Sequence, residues 1–311
     1  MEVDKIPSEV DILPKISAHK PSTSKKMQKM FADTKRIDNF GENTLQAMNH
    51  NTILLIIDPQ NDFCDSKGAL YVPNAEKDIQ NLIDLLDKHG DKIDEVILTA
   101  DDHIPYDIAH PAFWVDKDGE HPKPFTTITL KDIQDGNFTT IAEEDRGTAT
   151  AYIEQLEANG KTHTIWPQHC ISGTWGADIY PKLLNKIFEW MHGTNKRYYI
   201  VRKGWYPFTE HFGAFEAEVA YPMEESTLFN TPLARVLNKY SQILIAGEAK
   251  SHCVNNTIKQ LVDKAPELTK KLVILDDAMS PVSGCETFAD ETIAKARKLG
   301  ASVSYTTKVF K

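Results

Sequence analysis

The sequence has few cysteines, and they do not follow the patterns that serve structural sites. Four cysteines, at positions 64, 170, 253 and 285, occur in 311 residues, and no two of them form a Cys-x-x-Cys pair. This argues against a zinc ribbon or a disulfide framework and favours a reducing compartment. The chain also lacks an apolar segment at its start and any apolar run of the ~20 residues that a membrane span needs. We therefore expect a cytoplasmic protein.

Positive charge and glycine motifs are also scarce. Lys and Arg number 35 against 45 Asp and Glu, so the formal net charge is −10. An acidic surface disfavours nucleic acid and anionic membranes, and we expect a small-molecule partner instead. Neither G-x-G-x-x-G after the first predicted strand nor G-x-x-x-x-G-K-[ST] occurs, so a nucleotide site would lack its phosphate-binding loop. The sequence leaves open whether the chain forms a homo-oligomer.

Short apolar runs recur from residue 51 onward, and stretches of helical length and spacing separate most of them. Hydrophobic residues make up 41% of the chain and charged residues 26%, which is typical of a globular enzyme. Continuous apolar strands that alternate with amphipathic helices predict a parallel sheet covered on both faces. We predict an α/β fold: a three-layer α/β/α, doubly wound, mostly parallel six-stranded sheet. The six runs are 51–58, 95–100, 197–203, 241–247, 271–277 and 301–307.

Two segments depart from this rhythm. Residues 1–48 are polar and lysine-rich, and they predict an N-terminal extension that is partly disordered or wraps the surface. The folded domain is then expected to span residues 49–311. Within it, residues 112–165 hold prolines, glycines and charges plus a short helix near 149–159. We predict that this segment is an insertion over the edge or mouth of the sheet.

Side chains with acid, base and nucleophilic chemistry follow four of the predicted strands. In open α/β sheets, ligands bind beyond the carboxyl ends of the strands. Because these ends share one edge of a parallel sheet, we expect the side chains that follow them to converge there. They are Asp58, Asp101, His103, Lys203 and Cys253.

Cys253 is the candidate nucleophile. A thiol reacts as its thiolate, so Asp58 is the candidate base, and Lys203 with the N-terminus of the next helix is expected to keep the sulfur ionised. His252 is an unfavourable base because adjacent helical residues face different directions. Taken alone, Cys253 is more typical of a buried packing residue, Asp58 of a turn and Lys203 of a solvated surface. It is less expected that all three residues would lie at strand ends by chance.

A second cluster has the composition of a metal site. Asp101 and His103 are two residues apart just beyond a strand, so both can point into one site, and His169 and His110 add imidazoles. One carboxylate and two imidazoles with open positions suit zinc, iron(II) or manganese. Each histidine by itself is also typical of a hydrogen-bonded loop residue, and the Asp-x-His spacing alone has little specificity.

Five stretches in order along the chain carry a more specific likeness. The sequence resembles the isochorismatase-like cysteine hydrolases and, within them, the nicotinamidases. The combination of the Asp-x-His element with the Trp-Pro-x-His-Cys element is the most telling feature. The five stretches are "IIDPQNDFC" (56–64), "TADDHIPYDIAH" (99–110), "WPQHCISGTWGADIYP" (166–181), "VRKGWYPFTEHFGAF" (201–215) and "IAGEAKSHCVNNT" (245–257).

The resemblance implies a catalytic triad of Cys253, Asp58 and Lys203. It also implies a cis peptide bond between Glu248 and Ala249, with the amides of Ala249 and Cys253 forming an oxyanion hole. Relatives often carry an apolar residue where Glu248 stands. An acidic residue is common in them where this chain has a serine at position 251. These differences bear on the substrate rather than on the triad.

The resemblance further implies a divalent metal ion as cofactor, with zinc expected before iron or manganese. The activity implied is hydrolysis of nicotinamide to nicotinate and ammonia through a thioester. A related hydrolase acting on another carboxamide, a carbamoyl or a ureido compound is the alternative, as is a binding protein on the same fold. The implied metal ligands are Asp101, His103 and His169, with His110 as a further ligand in some members, and the implied ring-stacking residues are Phe63 and Trp166.

Overall fold

The structure is a computed structural model, and it describes residues 51–311. The extension predicted for residues 1–48 lies outside the described residues. Within residues 51–311, no helix is long and apolar enough to cross a membrane.

Ten strands occur in the described part of the chain. They are β1 (Thr52–Ile57), β2 (Glu95–Asp101), β3 (Trp114–Asp116), β4 (Thr127–Ile128), β5 (Phe138–Thr140), β6 (His163–Thr164), β7 (Arg197–Lys203), β8 (Gln242–Gly247), β9 (Leu272–Leu275) and β10 (Ser302–Ser304). The α-helices over the same residues are α1 (Asn61–Cys64), α2 (Ala75–His89), α3 (Leu130–Gln134), α4 (Arg146–Ala158), α5 (Pro181–Thr194), α6 (Thr231–Asn238), α7 (Asn255–Lys264), α8 (Pro266–Thr269) and α9 (Asp290–Lys298).

The central sheet has six parallel strands in the order β10-β9-β8-β1-β2-β7. Its middle strand, β1, is buried along its whole length and pairs on both sides, with Leu54 opposite Val96 and Leu244. All six strands fall within or next to the apolar runs predicted from the sequence. The predicted doubly wound parallel sheet is confirmed. Its strands have apolar residues on both faces, and such strands require a cover on each side.

Helices cover both faces of this sheet. Leu54 and Ile56 of β1 join a core cluster with residues of α2 and α5, whereas Ile53, Leu55 and Ile57 join a second cluster with residues of α6 and α7. This division follows from the two-residue period of a strand, which sends successive side chains to opposite faces. The result is the three-layer α/β/α arrangement.

The segment predicted as an insertion is ordered and has a small core of its own. Phe113, Trp114, Tyr152 and Ile153 are fully buried in it. Two short antiparallel pairs, β3 with β5 and β4 with β6, and helix α4 surround this core. The helix expected near residues 149–159 is therefore present as α4. That this segment is an insertion relative to compact relatives stays a prediction.

Candidate active site

The functional side chains expected at strand ends lie at one edge of the central sheet. Asp58 follows β1, Asp101 ends β2, Lys203 ends β7, and Cys253 follows β8. These four strands are neighbours in the sheet, in the order β8-β1-β2-β7. Because all run in the same direction, their carboxyl ends meet, and the structure brings the four side chains together.

Asp58 is held at the end of β1 by a threonine of the neighbouring strand. The Thr99 hydroxyl donates to Asp58 Oδ1 at 2.5 Å, and the Asp58 amide donates to the same hydroxyl oxygen at 3.0 Å. Asp58 is fully buried and has φ +43°, a left-handed conformation that is uncommon for aspartate. The chain turns sharply here, so the carboxylate faces the edge of the sheet where Lys203 and Cys253 lie.

Lys203 lies between two carboxylates. Its Nζ is 2.9 Å from Asp58 Oδ2, 2.5 Å from Asp101 Oδ1 and 3.9 Å from Cys253 Sγ, and it donates to the His211 carbonyl at 2.9 Å. Burial alone would lower the pKa of this lysine, but the charges of Asp101 and Asp58 outweigh it and raise the pKa well above its usual value. The ammonium is therefore permanently charged. It offsets the two buried carboxylates, which would otherwise be strongly destabilising.

Cys253 lies in a π-helical turn, Lys250–Val254, that leads directly into α7. A carboxylate oxygen of Asp58 lies within 4.8 Å of its sulfur, and both side chains are buried. Burial raises the pKa of the thiol well above its usual value, while the charge of Lys203 opposes this. The expectation that Lys203 keeps the sulfur ionised stays a prediction. A thiol whose pKa is raised needs a base at the moment of reaction.

Asp58 is placed to be that base. Its Oδ2 lies 2.9 Å from the Lys203 ammonium, and the Asp58 carboxylate also interacts with the Cys253 thiol through a side-chain hydrogen bond. Burial raises the pKa of Asp58, and Lys203 lowers it again. The raised pKa makes this carboxylate a better proton acceptor than an exposed aspartate.

The peptide bond between Glu248 and Ala249 is cis, as the resemblance implies. Ala249 directly precedes the π-helical turn, and within residues 51–311 its amide donates no hydrogen bond. Cys253 lies in the same first turn, where amide groups lack intrahelical acceptors. These two amides are therefore the candidate donors to an oxyanion next to the sulfur.

Asp101, His103 and His169 form a compact group whose ligand atoms all lie within 4.8 Å of one another. His103 Nδ1 is 3.0 Å from Asp107 Oδ2, and His169 Nδ1 is 2.8 Å from the Pro167 carbonyl oxygen. Each ring therefore uses Nδ1 for an anchoring hydrogen bond and leaves Nε2 for a metal ion, as is usual for histidine ligands. One carboxylate and two such imidazoles fit a divalent cation.

The pKa values of the two histidines shift in opposite directions. Burial lowers the pKa of His169 to about 4, so its ring is neutral and has a free lone pair. Burial alone would lower the pKa of His103 too, but Asp107 and Asp101 raise it well above its usual value. A bound cation would take the place of the extra proton on His103.

His110 does not join this group. Its ring packs 5.1 Å from that of His103 and 5.2 Å from that of His169, and its Nε2 lies 3.3 Å from His169 Nδ1. That nitrogen of His169 is the one turned toward Pro167, away from the candidate metal position. The structure therefore places His110 beside the Nδ1 of His169. That His110 itself serves as a metal ligand stays a prediction.

Two buried acids next to this group escaped the sequence reasoning. Asp107 orients His103, and its only signal in the sequence is that it is a carboxylate four residues after His103. Glu210 is buried, one of its oxygens has no partner among the residues described, and the charges of His103 and Asp107 act on it. No spacing in the sequence connects Glu210 with the end of β2, so only the fold reveals it.

Aromatic rings border the site on two sides. Phe63 is buried, and its ring lies 5.5 Å from that of His169. Trp166 is also buried and packs edge-on against His252 at 5.2 Å and Phe212 at 6.1 Å. Phe212 was not predicted, although it belongs to one of the five quoted stretches. The rings give the site apolar walls beside the thiol and the candidate metal position.

Comparison with known proteins finds relatives in sequence and in fold, although no family model matches the chain. The chain is 25% identical over 232 residues to the nicotinamidase of Saccharomyces cerevisiae, covering 74% of this chain and 88% of that protein. It is 24% identical over 207 residues to the nicotinamidase of Escherichia coli, covering 66% of this chain and 73% of that protein.

Solved structures share the fold. A nicotinamidase from Acinetobacter baumanii superposes with a TM-score of 0.56 at 20% identity, covering 85% of this chain and 100% of that one. The yeast nicotinamidase bound to the inhibitor nicotinaldehyde gives a TM-score of 0.55 at 20% identity, covering 82% and 99%. The chain is therefore similar in sequence to curated nicotinamidases, and it shares the isochorismatase-like fold of the solved nicotinamidase structures.

Proposed function

We propose that the protein hydrolyses nicotinamide to nicotinate and ammonia, with Cys253 as the nucleophile. The observation that carries the proposal is the meeting of Cys253, Asp58 and Lys203 around one sulfur, directly beside a group of three metal-ligand side chains. The relatives named nicotinamidases supply the substrate. The apolar walls formed by Phe63 and Trp166 suit a flat aromatic ring.

In the first half of the reaction, Asp58 takes the Cys253 proton as the sulfur attacks the carboxamide carbon. The carbonyl oxygen becomes an oxyanion, which accepts hydrogen bonds from the amides of Ala249 and Cys253. One such donor is worth about 3 kcal/mol in other hydrolases. When the tetrahedral intermediate collapses, the carbon–nitrogen bond breaks, and protonated Asp58 gives its proton to the departing amine. Ammonia and a thioester on Cys253 result.

In the second half, Asp58 takes a proton from water as the water oxygen attacks the thioester carbon. The same two amides hold the second oxyanion. The carbon–sulfur bond then breaks, the acid is released, and the proton on Asp58 returns to the sulfur. Lys203 keeps its charge throughout, so it lowers the cost of each anion formed beside it.

We propose zinc as the cofactor, held by Asp101, His103 and His169. When bound, the ion would offer a Lewis-acid site that binds the pyridine nitrogen and orients the ring. Phe63 and Trp166 would hold the ring faces, which leaves the carboxamide beside the thiol. We also propose that the enzyme works in the cytoplasm, where nicotinate can be reused for pyridine nucleotide synthesis.

The proposal is tested by ammonia release from nicotinamide with wild type and Cys253→Ala, and with Cys285→Ala as a matched cysteine control. We expect wild type and Cys285→Ala to release ammonia at similar rates and Cys253→Ala to release none above background. Pyrazinamide and ureido compounds assayed side by side would identify a different preferred substrate. Equal activity of wild type and Cys253→Ala would remove the nucleophile from the proposal.

A further inference from the structure

Glu248 is a buried acid directly before the Ala249 amide, and a second buried acid faces it. Glu248 is fully buried, and Asp78, in the first turn of α2, is 6% exposed. Their side chains lie within hydrogen-bond reach of each other. Within residues 51–311, Glu248 Oε1 and Asp78 Oδ2 have no donor.

Two facing buried carboxylates cannot both keep their charge at neutral pH. A single proton between them satisfies both orphaned oxygens, since one group then donates and the other accepts. Burial raises the pKa of Asp78 to about 6. Burial first and the charge of Asp78 second raise the pKa of Glu248 well above its usual value. These shifts favour one proton on the pair, held more strongly by Glu248 than by Asp78.

Residue 248 is anchored through its side chain and its backbone at once. Glu248 Oε2 accepts from the Ser280 amide at 3.4 Å, and the Glu248 amide donates to the Ile57 carbonyl at 2.8 Å. On the far side of Ala249, the Lys250 amide donates to the Ser280 carbonyl at 2.8 Å. The carbonyls of Ile57 and Ser280 thus fix the backbone on either side of Ala249, while the Ser280 amide and Asp78 fix the Glu248 side chain.

We propose that Asp78 and Glu248 share one proton and act as positioning residues that hold the Ala249 amide toward the oxyanion. This inference rests on the proposed amide hydrolysis. Neither residue touches the substrate. Their effect is on where the amide donor points, which is a transition-state interaction, so it bears on kcat more than on KM. Other groups also act on the pair: Cys64, Tyr71, Glu76, Lys77, Asp277 and Ser280.

The shared proton is tested by urea unfolding between pH 5 and pH 8, without any assay of activity. A raised carboxyl pKa stabilises the fold at low pH, and this stabilisation is lost as pH rises through the folded-state pKa. We expect the urea midpoint of wild type to fall over this range relative to that of Glu248→Gln. In that variant, the amide supplies the donor at every pH. Asp78→Asn should flatten the curve in the same way, and Asp84→Asn, on the same helix, should not.

The positioning role is tested by nicotinamide turnover. We expect Glu248→Leu, which has no donor, to lower kcat at least tenfold with KM within twofold of wild type. Glu248→Gln should recover kcat to within threefold of wild type near neutral pH. The kcat of wild type should decline as the pH rises and the shared proton is lost. Glu248→Gln should not show this part of the decline. This last comparison decides the question even if Glu248→Leu fails to fold.

Three results would overturn the inference. Parallel urea curves for wild type, Glu248→Gln and Asp84→Asn would remove the shared proton. A folded Glu248→Leu with unchanged kcat, or identical pH profiles of wild type and Glu248→Gln, would remove the positioning role. If wild type releases no ammonia at all, the proposed function fails and the positioning role fails with it, whereas the urea curves still decide whether Asp78 and Glu248 share a proton.

Discussion

At the scale of the residue, the site depends on how four buried titratable groups interact. The ammonium of Lys203 contacts Asp58 and Asp101 and lies near the Cys253 sulfur. Asp101 therefore joins two centres, because one of its oxygens accepts from Lys203 while the other lies 3.8 Å from His103 Nε2. Burial raises the pKa of the Cys253 thiol, and the charge of Lys203 opposes this rise. Turnover therefore depends most directly on Asp58, the residue that accepts the thiol proton.

We expect Asp58→Asn to lower kcat for nicotinamide by about 10²- to 10⁴-fold, the range typical of a lost general base. Asparagine has the same shape and can keep the bond with Thr99, but it cannot take the thiol proton. Steady-state ammonia release measures the effect, with Asp91→Asn as an exposed aspartate control that should match wild type. Activity of Asp58→Asn within threefold of wild type would contradict the assignment of the base.

At the scale of the element, short segments around the sheet edge are held by buried polar contacts. Asp62 of α1 accepts hydrogen bonds from the amides of Ala69 at 2.9 Å and Cys170 at 2.7 Å. The second contact fixes the segment that carries His169, a candidate metal ligand. Gly176 packs directly onto Asp62, where an added Cβ would lie 2.0 Å from the carboxylate. This close contact explains sterically why a glycine stands at position 176.

We expect Gly176→Ala to lower the free energy of unfolding by about 1–3 kcal/mol, as overpacked sites do. The alanine methyl must displace the Asp62 carboxylate and with it the Cys170 amide. Gly147→Ala is the matched control, because nothing lies within 4 Å of its added Cβ and alanine favours the helix there. Urea unfolding measures both variants, and equal stability of the two would contradict the packing argument.

At the scale of the whole molecule, the candidate metal ligands come from distant parts of the chain. Asp101 ends β2, His103 follows it, and His169 lies in a segment that approaches from beyond β6. A bridge between His103 and Ile171 joins these two segments directly. A cation bound by all three residues would bind only the folded state, so binding would stabilise the entire fold.

We expect removal of metal by a chelator to lower the Tm of wild type and added zinc to restore it. At zinc concentrations of 100 times Kd, the stabilisation would be about 2.7 kcal/mol. His103→Ala should show neither change, while His192→Ala, which replaces an exposed histidine, should behave like wild type. Calorimetry of wild type, His103→Ala and His192→Ala, each with chelator and with added zinc, measures this without reference to activity. An equal zinc response in His103→Ala would contradict the ligand assignment.

The sequence by itself determined the six strands and the residues at their ends, because continuous apolar runs and strand termini are local properties of the chain. Asp58, Lys203 and Cys253 could be brought to one edge on that basis alone. Only the tertiary structure decided how these groups interact. Burial raises the pKa of the Cys253 thiol, packing places the His110 ring against that of His169, and the fold brings Asp78 against Glu248. These features depend on contacts between distant segments and on exclusion of water, and no spacing along a sequence records either.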